Sequence, residues 1–216
     1  MSRHVKPIIA IPYRGVDDAR RRNFDLVMQQ VLELWTTAGI RWGVDDSGDQ
    51  PFSIARTWNK LAKQATWRYP DWTHLIRWAA DFIIDDPQRI LAAIETMDAN
   101  GWAHVLPFDQ ATKLTETETN TYAETGQLPT RTNRLPFGGI NITTREAWDR
   151  LGGFDETFKG WGHEDREYVH RLEAAFGPRH RTPGHMFILH HPKNVPGDPY
   201  WEARHANRKR LEERTQ

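Results

Sequence analysis

Apolar and polar positions follow two different periods along the first half of the chain. Four short apolar runs have the length and composition of buried strands: Val5–Ile11, Ile40–Val44, Thr73–Trp78 and Trp102–Leu106. Between them, apolar residues recur every three or four positions, as in amphipathic helices, after capping residues such as Asp17 or Ser53. Strands and helices that alternate at this spacing predict right-handed crossovers and a mostly parallel α/β sheet.

This alternation stops at Pro107. The segment 107–136 is polar and rich in Thr, without usable periodicity, and a loop of this length is usually functional or mobile. We interpret it as a flexible lid or acceptor-facing loop that the donor orders, with a disordered insertion as the alternative. Order resumes with a strand over Phe137–Thr143, a short helix, a Gly-rich segment, a helix that ends at Phe176, a strand over His185–Leu189 and a charged helical tail.

Composition narrows the class of protein. The 216 residues carry 29 Lys+Arg and 29 Asp+Glu, so bulk basic charge cannot hold a nucleic acid. With no Cys, disulfide scaffolds, thiolate metal sites and Cys nucleophiles are excluded, and a metal would need carboxylate and imidazole ligands. No apolar run is long enough to span a membrane, and the first residues lack a secretory apolar core. We therefore expect a single-domain, cytoplasmic protein.

Polar residues stand at the ends of three predicted strands, where open parallel sheets bind ligands. The first strand ends at Pro12-Tyr13-Arg14, the second at Asp45-Asp46, and the third continues to Asp81. An aromatic ring, a guanidinium and carboxylates at one edge suit a nucleotide, although acidic residues after strands are also common turn formers. Neither the dinucleotide fingerprint nor the P-loop fingerprint is present.

Six motifs along the chain resemble those of one enzyme group: IPYR, VDDSGD, FSIARTWN, AADFI, FGGIN and GGFDETFKGWGHED. In this order they are similar to inverting GT-A glycosyltransferases, and most of all to the β-1,4-galactosyltransferase (family 7-like) and family 2 groups. The resemblance covers about residues 5–192 and implies an α/β GT-A fold. It also implies an inverting, metal-dependent hexosyltransferase that uses a nucleotide sugar, UDP-linked in our interpretation.

The resemblance assigns roles to residues. It makes Asp165 the base that deprotonates the acceptor hydroxyl, with Glu164, Trp161 and Gly139 around the sugar. Without the resemblance, Glu164 and Asp165 would be interpreted as the acidic first turn of a helix. The residues expected to contact the nucleotide are Pro12, Tyr13, Arg14, Asp45, Asp46 and Arg56. The halves of the domain are then 1–106 for the nucleotide and 137–192 for the acceptor and catalysis, separated by the loop 107–136 and followed by the tail 193–216.

A divalent cation, Mn²⁺ or Mg²⁺, is implied to offset the charge of the leaving diphosphate. The D-x-D of the group falls at Ala79-Ala80-Asp81, so its first acid is absent and Asp81 is the remaining ligand. His191, which precedes Pro192, is the expected second ligand, with His190 as the alternative. Carboxylate, imidazole, phosphate and water are ligands that suit either ion.

Two departures and the rival functions complete the interpretation. The diphosphate-facing Arg of the group is replaced by Ile54, and Arg56 is the candidate substitute for that Arg. Arg166 stands where the galactosyltransferases have an acid that helps to recognise the acceptor.

The acceptor stays open among a glycan, a protein and a modified base in DNA, and the composition is compatible with a bacterial or bacteriophage source. Rival hypotheses are a sugar nucleotidyltransferase and a degenerate GT-A domain that only binds nucleotide or glycan.

Overall fold

A computed structural model of the protein describes residues 5–45, 52–133, 138–192 and 199–214. These residues form nine strands and seven helices. The strands are β1 (Pro7–Pro12), β2 (Arg41–Asp45), β3 (His74–Trp78), β4 (Phe82–Ile84), β5 (His104–Leu106), β6 (Gln110–Lys113), β7 (Ile140–Thr144), β8 (His180–Arg181) and β9 (His185–Ile188). The helices are α1 (Asp18–Ala38), α2 (Ile54–Arg68), α3 (Arg89–Asn100), α4 (Glu116–Thr125), α5 (Arg145–Leu151), α6 (Glu164–Phe176) and α7 (Pro199–Arg214).

Six strands form the central sheet, in the order β2-β1-β3-β7-β5-β8. β1 pairs in parallel with β2 and β3, and β5 pairs in parallel with β8. β7 is antiparallel to both of its neighbours, with Ile140 opposite Trp78 and Thr144 opposite His74. The predicted mostly parallel α/β sheet is confirmed, and β7 is its one reversed strand among the described residues.

Helices cover both faces of this sheet because its inner strands are apolar on both sides. Along β1, Ile9 and Ile11 join the core cluster beneath α1 and α3, whereas Ile8 and Ala10 join the one beneath α2, α5 and α6. Local signals set the helix ends as predicted: the Asp17 side chain accepts from Arg20 N, and Gly39 adopts the left-handed conformation (φ 66°) that closes α1. No described helix has the length and apolar character needed to cross a bilayer.

The structure also contains a second, three-stranded sheet that the sequence analysis did not predict. In the order β4-β9-β6, β9 pairs antiparallel with β4 and parallel with β6. The interpretation of 107–136 as one flexible loop is therefore wrong where β6 and α4 form. β6 shows only two consecutive buried residues, and α4 depends on a capping box between Thr115 and Glu118. Neither feature produces hydrophobic periodicity, which is why the pattern did not reveal them.

The residues after α4 are also held in place. Arg131 forms an ion pair with Glu118, and Asn133 Oδ1 accepts from Lys113 N at 2.9 Å. Residues 134–136 of the predicted loop lie outside the described part of the chain. The predicted C-terminal helix is present as α7.

Candidate active site

Two adjacent carboxylates, Glu164 and Asp165, open α6 directly after the Gly-rich loop. His163, immediately before them, has a left-handed backbone (φ 70°), which is rare outside Gly and turns the chain sharply into the helix. Glu164 is 3% exposed, and its Oε2 makes no hydrogen bond within the described residues, whereas a third of the Asp165 side chain is exposed. The more accessible of the two acids is therefore Asp165.

A buried arginine that the sequence analysis missed lies next to this acid pair. Arg77, in β3, is 1% exposed, and its Nη1 lies 3.3 Å from Asp165 Oδ1. Its guanidinium carbon is 5.0 Å from the ring centre of Phe154 and 4.7 Å from that of Tyr168, so two aromatic faces fix it. The sequence signal that could have identified Arg77 is its position as a single Arg within the apolar run HLIRW.

Burial and neighbouring charges shift the pKa values of Glu164 and Asp165 in different proportions. Burial raises the pKa of Glu164, and the neighbouring Asp165 carboxylate adds to this increase. Burial also raises the pKa of Asp165, but the charge and hydrogen bond of Arg77 oppose that increase. A shared proton is thus favoured on Glu164, which leaves the negative charge on Asp165.

A turn of two glycines, Gly138-Gly139, connects the acid pair to the end of β3. A Cβ on Gly138 would overlap Asp165 Oδ2, and Gly139 (φ 109°) has Phe82 and Met186 where its Cβ would lie. The carbonyl of Gly139 accepts from Ala79 N at 2.9 Å, two residues before Asp81. Asp165 and the Asp81 segment therefore contact the same turn, and the predicted sugar residue Gly139 lies between them.

Asp81 is paired with His191, as expected for two ligands of one cation. Asp81 Oδ2 lies 3.2 Å from His191 Nε2, and β9 brings the histidine there because Leu189 N donates to Asp81 O at 2.8 Å. The Nδ1 of His191 donates to Pro192 O at 2.8 Å, so Nε2 is the nitrogen that faces the carboxylate. The hydrogen bond that protonated His191 donates to Asp81 raises the pKa of His191.

The other histidine candidate, His190, is held by its backbone. Its N–H donates to Thr119 Oγ1 at 2.9 Å, and its carbonyl accepts from Asn23 Nδ2 at 3.0 Å. Within the described ranges no group of three or more His, Cys, Asp or Glu side chains is arranged to hold a metal ion. The chain therefore offers the two-ligand pair of Asp81 and His191, a donor set that fits a cation completed by phosphate and water.

The predicted nucleotide residues of β1 lie together at the carboxyl end of that strand. Pro12 is buried, and Tyr13 stacks on Phe24 with ring centres 3.9 Å apart. The guanidinium of Arg14 lies 5.0 Å from the ring centre of Phe52. These contacts fix the positions of an aromatic ring and a cation beside β2.

The other three predicted nucleotide residues are placed differently. Asp45 is paired with Pro12 across the β1–β2 ladder. Its carboxylate binds Lys60 Nζ at 2.9 Å and Gln64 Nε2 at 3.3 Å, both in α2. Arg56 Nε lies 3.7 Å from Glu156 Oε2. Asp46 lies outside the described residues. The geometry therefore assigns Asp45 and Arg56 to contacts within the protein.

Trp161, predicted to border the sugar site, is 43% exposed in the Gly-rich loop. Two elements hold that loop. From α2, Ile54 N donates to Gly160 O at 3.0 Å, and from α7, Asn207 Nδ2 donates to Gly162 O at 3.0 Å. The sequence analysis missed Asn207, since nothing local distinguishes a buried amide in a charged helix.

Comparisons with known proteins identify similar sequences and similar folds. Residues 128–193 match a family model described as the N-terminal domain of galactosyltransferase. Over 198 residues, 86% of the chain, the sequence is 21% identical to β-1,4-galactosyltransferase 5 of Danio rerio. The chain spans 44% of the length of that relative.

Solved structures share the fold. A mutant of Drosophila β-1,4-galactosyltransferase 7, in complex with manganese, UDP-Gal and xylobiose, superposes with a TM-score of 0.59 at 14% identity, covering 93% of this chain and 79% of the other. A Pyrobaculum calidifontis mannosyltransferase, in complex with GDP-Man and Mn²⁺, gives 0.54 at 12% identity, covering 90% and 58%. The predicted fold and resemblance are confirmed: the chain has the GT-A fold of these structures, and its sequence is similar to the β-1,4-galactosyltransferases.

Proposed function

We propose that this chain is an inverting glycosyltransferase that moves a sugar from a nucleotide-sugar donor, UDP-linked, to a hydroxyl acceptor. One observation carries the proposal. Asp165, the accessible acid of the pair, and the segment that leads to Asp81 contact the same Gly138-Gly139 turn. In this proposal the anomeric carbon of the donor lies between Asp165 and the Asp81–His191 pair.

The base in this proposal is Asp165. Inversion requires a carboxylate that removes the acceptor proton while the hydroxyl attacks from the face opposite the leaving nucleotide. Arg77, 3.3 Å away, favours the ionised form of Asp165 that can accept this proton. Glu164, whose pKa is raised by burial, is then the protonated member, able to donate a hydrogen bond to a sugar hydroxyl.

The leaving diphosphate is assigned to the opposite end of the site. Asp81 and His191 would hold a divalent cation, Mn²⁺ or Mg²⁺, which when bound neutralises charge that develops on the departing phosphate. His191 Nε2 is directed toward this position because Nδ1 is engaged by Pro192 O. Arg14 and Tyr13 are the proposed contacts to phosphate and base, and Trp161 borders the sugar.

The choice of UDP follows from the sequence likeness to galactosyltransferases, since the solved neighbours include complexes with both UDP-Gal and GDP-Man. A thermal-shift panel of UDP- and GDP-sugars, with and without Mn²⁺, tests the donor and the cation together. We expect a cation-dependent rise in Tm for a UDP-sugar. Stabilisation by GDP-sugars alone would contradict the donor assignment.

The reaction itself requires a separate measurement. We expect the protein to hydrolyse the stabilising UDP-sugar slowly and to transfer its sugar with inversion, as followed by the anomeric proton in NMR. Release of pyrophosphate from a nucleoside triphosphate and a sugar phosphate would indicate the rival nucleotidyltransferase. Binding of donor with no hydrolysis or transfer would indicate a degenerate binding domain.

A further inference from the structure

The C-terminal helix α7 is fastened to the loop that carries Trp161. Asn207 is 1% exposed, and its Nδ2 donates to Lys159 O at 2.7 Å and to Gly162 O at 3.0 Å. Its Oδ1 accepts from Lys159 N at 3.2 Å, and Leu211 is buried one turn later. These contacts hold the side chains of α7 in defined positions relative to the indole.

One of those side chains, Arg204, lies against Trp161. Its guanidinium carbon is 5.2 Å from the centre of the indole. The stem of Arg204 packs on Gly162, where a Cβ would come within 2.8 Å of Arg204 Cγ. Since Trp161 is 43% exposed, the indole and the guanidinium together border open space.

Two further cations, Arg166 and Arg208, act together with Arg204 on His163, two residues after Trp161. Arg166 lies in the first turn of α6, and Arg208 follows Arg204 by one turn of α7. Burial and then the positive charges of Arg166, Arg204 and Arg208 lower the pKa of His163, the residue that begins α6. The acid that opposes them is Glu212, 2.9 Å from Arg208. Positive charge therefore predominates among the charges that act on His163, which lies between Trp161 and the acid pair in the sequence.

We infer that Arg204, Arg166 and Arg208 form one wall of the acceptor site and select an acceptor that carries a carboxylate or a phosphate. The inference rests on the proposed glycosyl transfer and names its substrate class. The diphosphate of the donor is assigned to Asp81 and His191, so it does not account for this second group of cations. A guanidinium that is held in place binds carboxylate or phosphate through paired, charge-assisted hydrogen bonds.

Three matched probes test the charge preference: methyl β-D-glucopyranoside, its 6-carboxylate and its 6-phosphate. Binding is measured by titration calorimetry, with and without UDP and Mn²⁺. We expect each charged probe to bind about tenfold more tightly than the neutral one at low ionic strength, and we expect the difference to shrink in about 1 M NaCl, where charges are screened within about 3 Å. The two charged probes compared with each other distinguish carboxylate from phosphate.

Variants test whether these arginines produce the preference. In Arg204→Gln, the ratio of charged to neutral affinity should fall about threefold or more, and Arg204→Lys should restore part of it. Lys209→Gln, an equally cationic position of α7 whose side chain is 80% exposed, should leave the ratio and donor hydrolysis unchanged. The ratio is measured within each protein, so a partial loss of folded material does not affect it.

The outcomes separate the inference from the proposed function. Equal binding of the three probes, or no binding of the charged ones, overturns the inference even if the protein hydrolyses a UDP-sugar. A preference that survives Arg204→Gln also overturns it. If no nucleotide sugar is bound or hydrolysed, the proposed function fails, whatever the probes show.

Discussion

The guanidinium of Arg77 lies 3.3 Å from Asp165 Oδ1, although the two residues are 88 positions apart in the sequence. Arg77 is buried between two aromatic rings, so its charge acts on Asp165 with little screening by solvent. Tyr168, His104 and Glu164 are the other titratable groups around this pair. The positive charge of Arg77 favours the ionised form of Asp165, which can accept a proton.

Replacing Arg77 should move the pH dependence of the reaction. In Arg77→Met, the pKa of Asp165 rises further because burial is no longer opposed, so the acid limb of kcat/KM against pH should shift to higher pH. We expect kcat/KM at neutral pH to fall by about 10²-fold and the free energy of unfolding by about 2 kcal/mol, less than for a fully buried pair because Asp165 is partly exposed.

The matched control is Arg145→Met, which removes a partly buried arginine that pairs with Asp149. It should leave the pH profile unchanged. A conservative Arg77→Lys should recover part of the shift. An acid limb in Arg77→Met that coincides with that of the unmodified protein would show that Arg77 has a structural role only.

Removing the proposed base should abolish chemistry and preserve donor binding. In Asp165→Asn, we expect glycosyl transfer to fall by about 10²- to 10⁴-fold, since the amide cannot accept the proton. The Kd for UDP with Mn²⁺ should change by less than about twofold. Asp149→Asn on α5 serves as the control. Transfer at more than a tenth of the normal rate in Asp165→Asn would assign the base elsewhere.

Glu164 should make stability depend on pH in a definite direction. Its pKa is raised in the folded protein, so the folded state holds a proton that the unfolded state has already lost. The free energy of unfolding should therefore decrease as the pH rises from the ordinary carboxyl range through the raised pKa. Glu164→Gln should flatten this part of the curve in denaturant titrations, and a slope unchanged by the substitution would refute the assignment.

The cation pair predicts a difference between two neighbouring histidines. Asp81→Asn and His191→Gln should each raise the Kd for UDP about tenfold in the presence of Mn²⁺. Neither should change the Kd in the presence of a chelator. His190→Gln is the matched comparison, because His190 is anchored through its backbone, and it should have a much smaller effect. A larger loss in His190→Gln would transfer the second ligand to that residue.

The segment after β5 should resist proteolysis even without ligand. β6 is paired with β9, and α4 is capped at both ends, by the Thr115–Glu118 capping box and by Gly126. We expect cleavage rates within residues 110–133 to be slow and equal with and without UDP plus Mn²⁺. Protection that appears only on addition of ligand would restore a lid function to this segment.

The amino-acid sequence by itself determined the order of the central-sheet strands and helices from β1 to β5, without β4, and also the ends of α1 and the fold. These features depend on contacts between near neighbours in the chain, so the sequence pattern alone predicts them. They are the apolar runs, the Asp17 cap and Gly39. The motif resemblance determined the acid pair as candidates. It also directed attention to Asp81 and His191, which the structure pairs at 3.2 Å.

The tertiary structure alone decided which distant side chains meet. Three contacts join residues that are tens of positions apart in the sequence: Arg77 with Asp165, β6 with β9, and Asn207 with the Gly-rich loop. Such contacts depend on strand register and helix packing, and they leave no local periodicity. The same holds for Asp45, whose position at the end of β2 suggested a nucleotide contact but whose carboxylate binds two residues of α2.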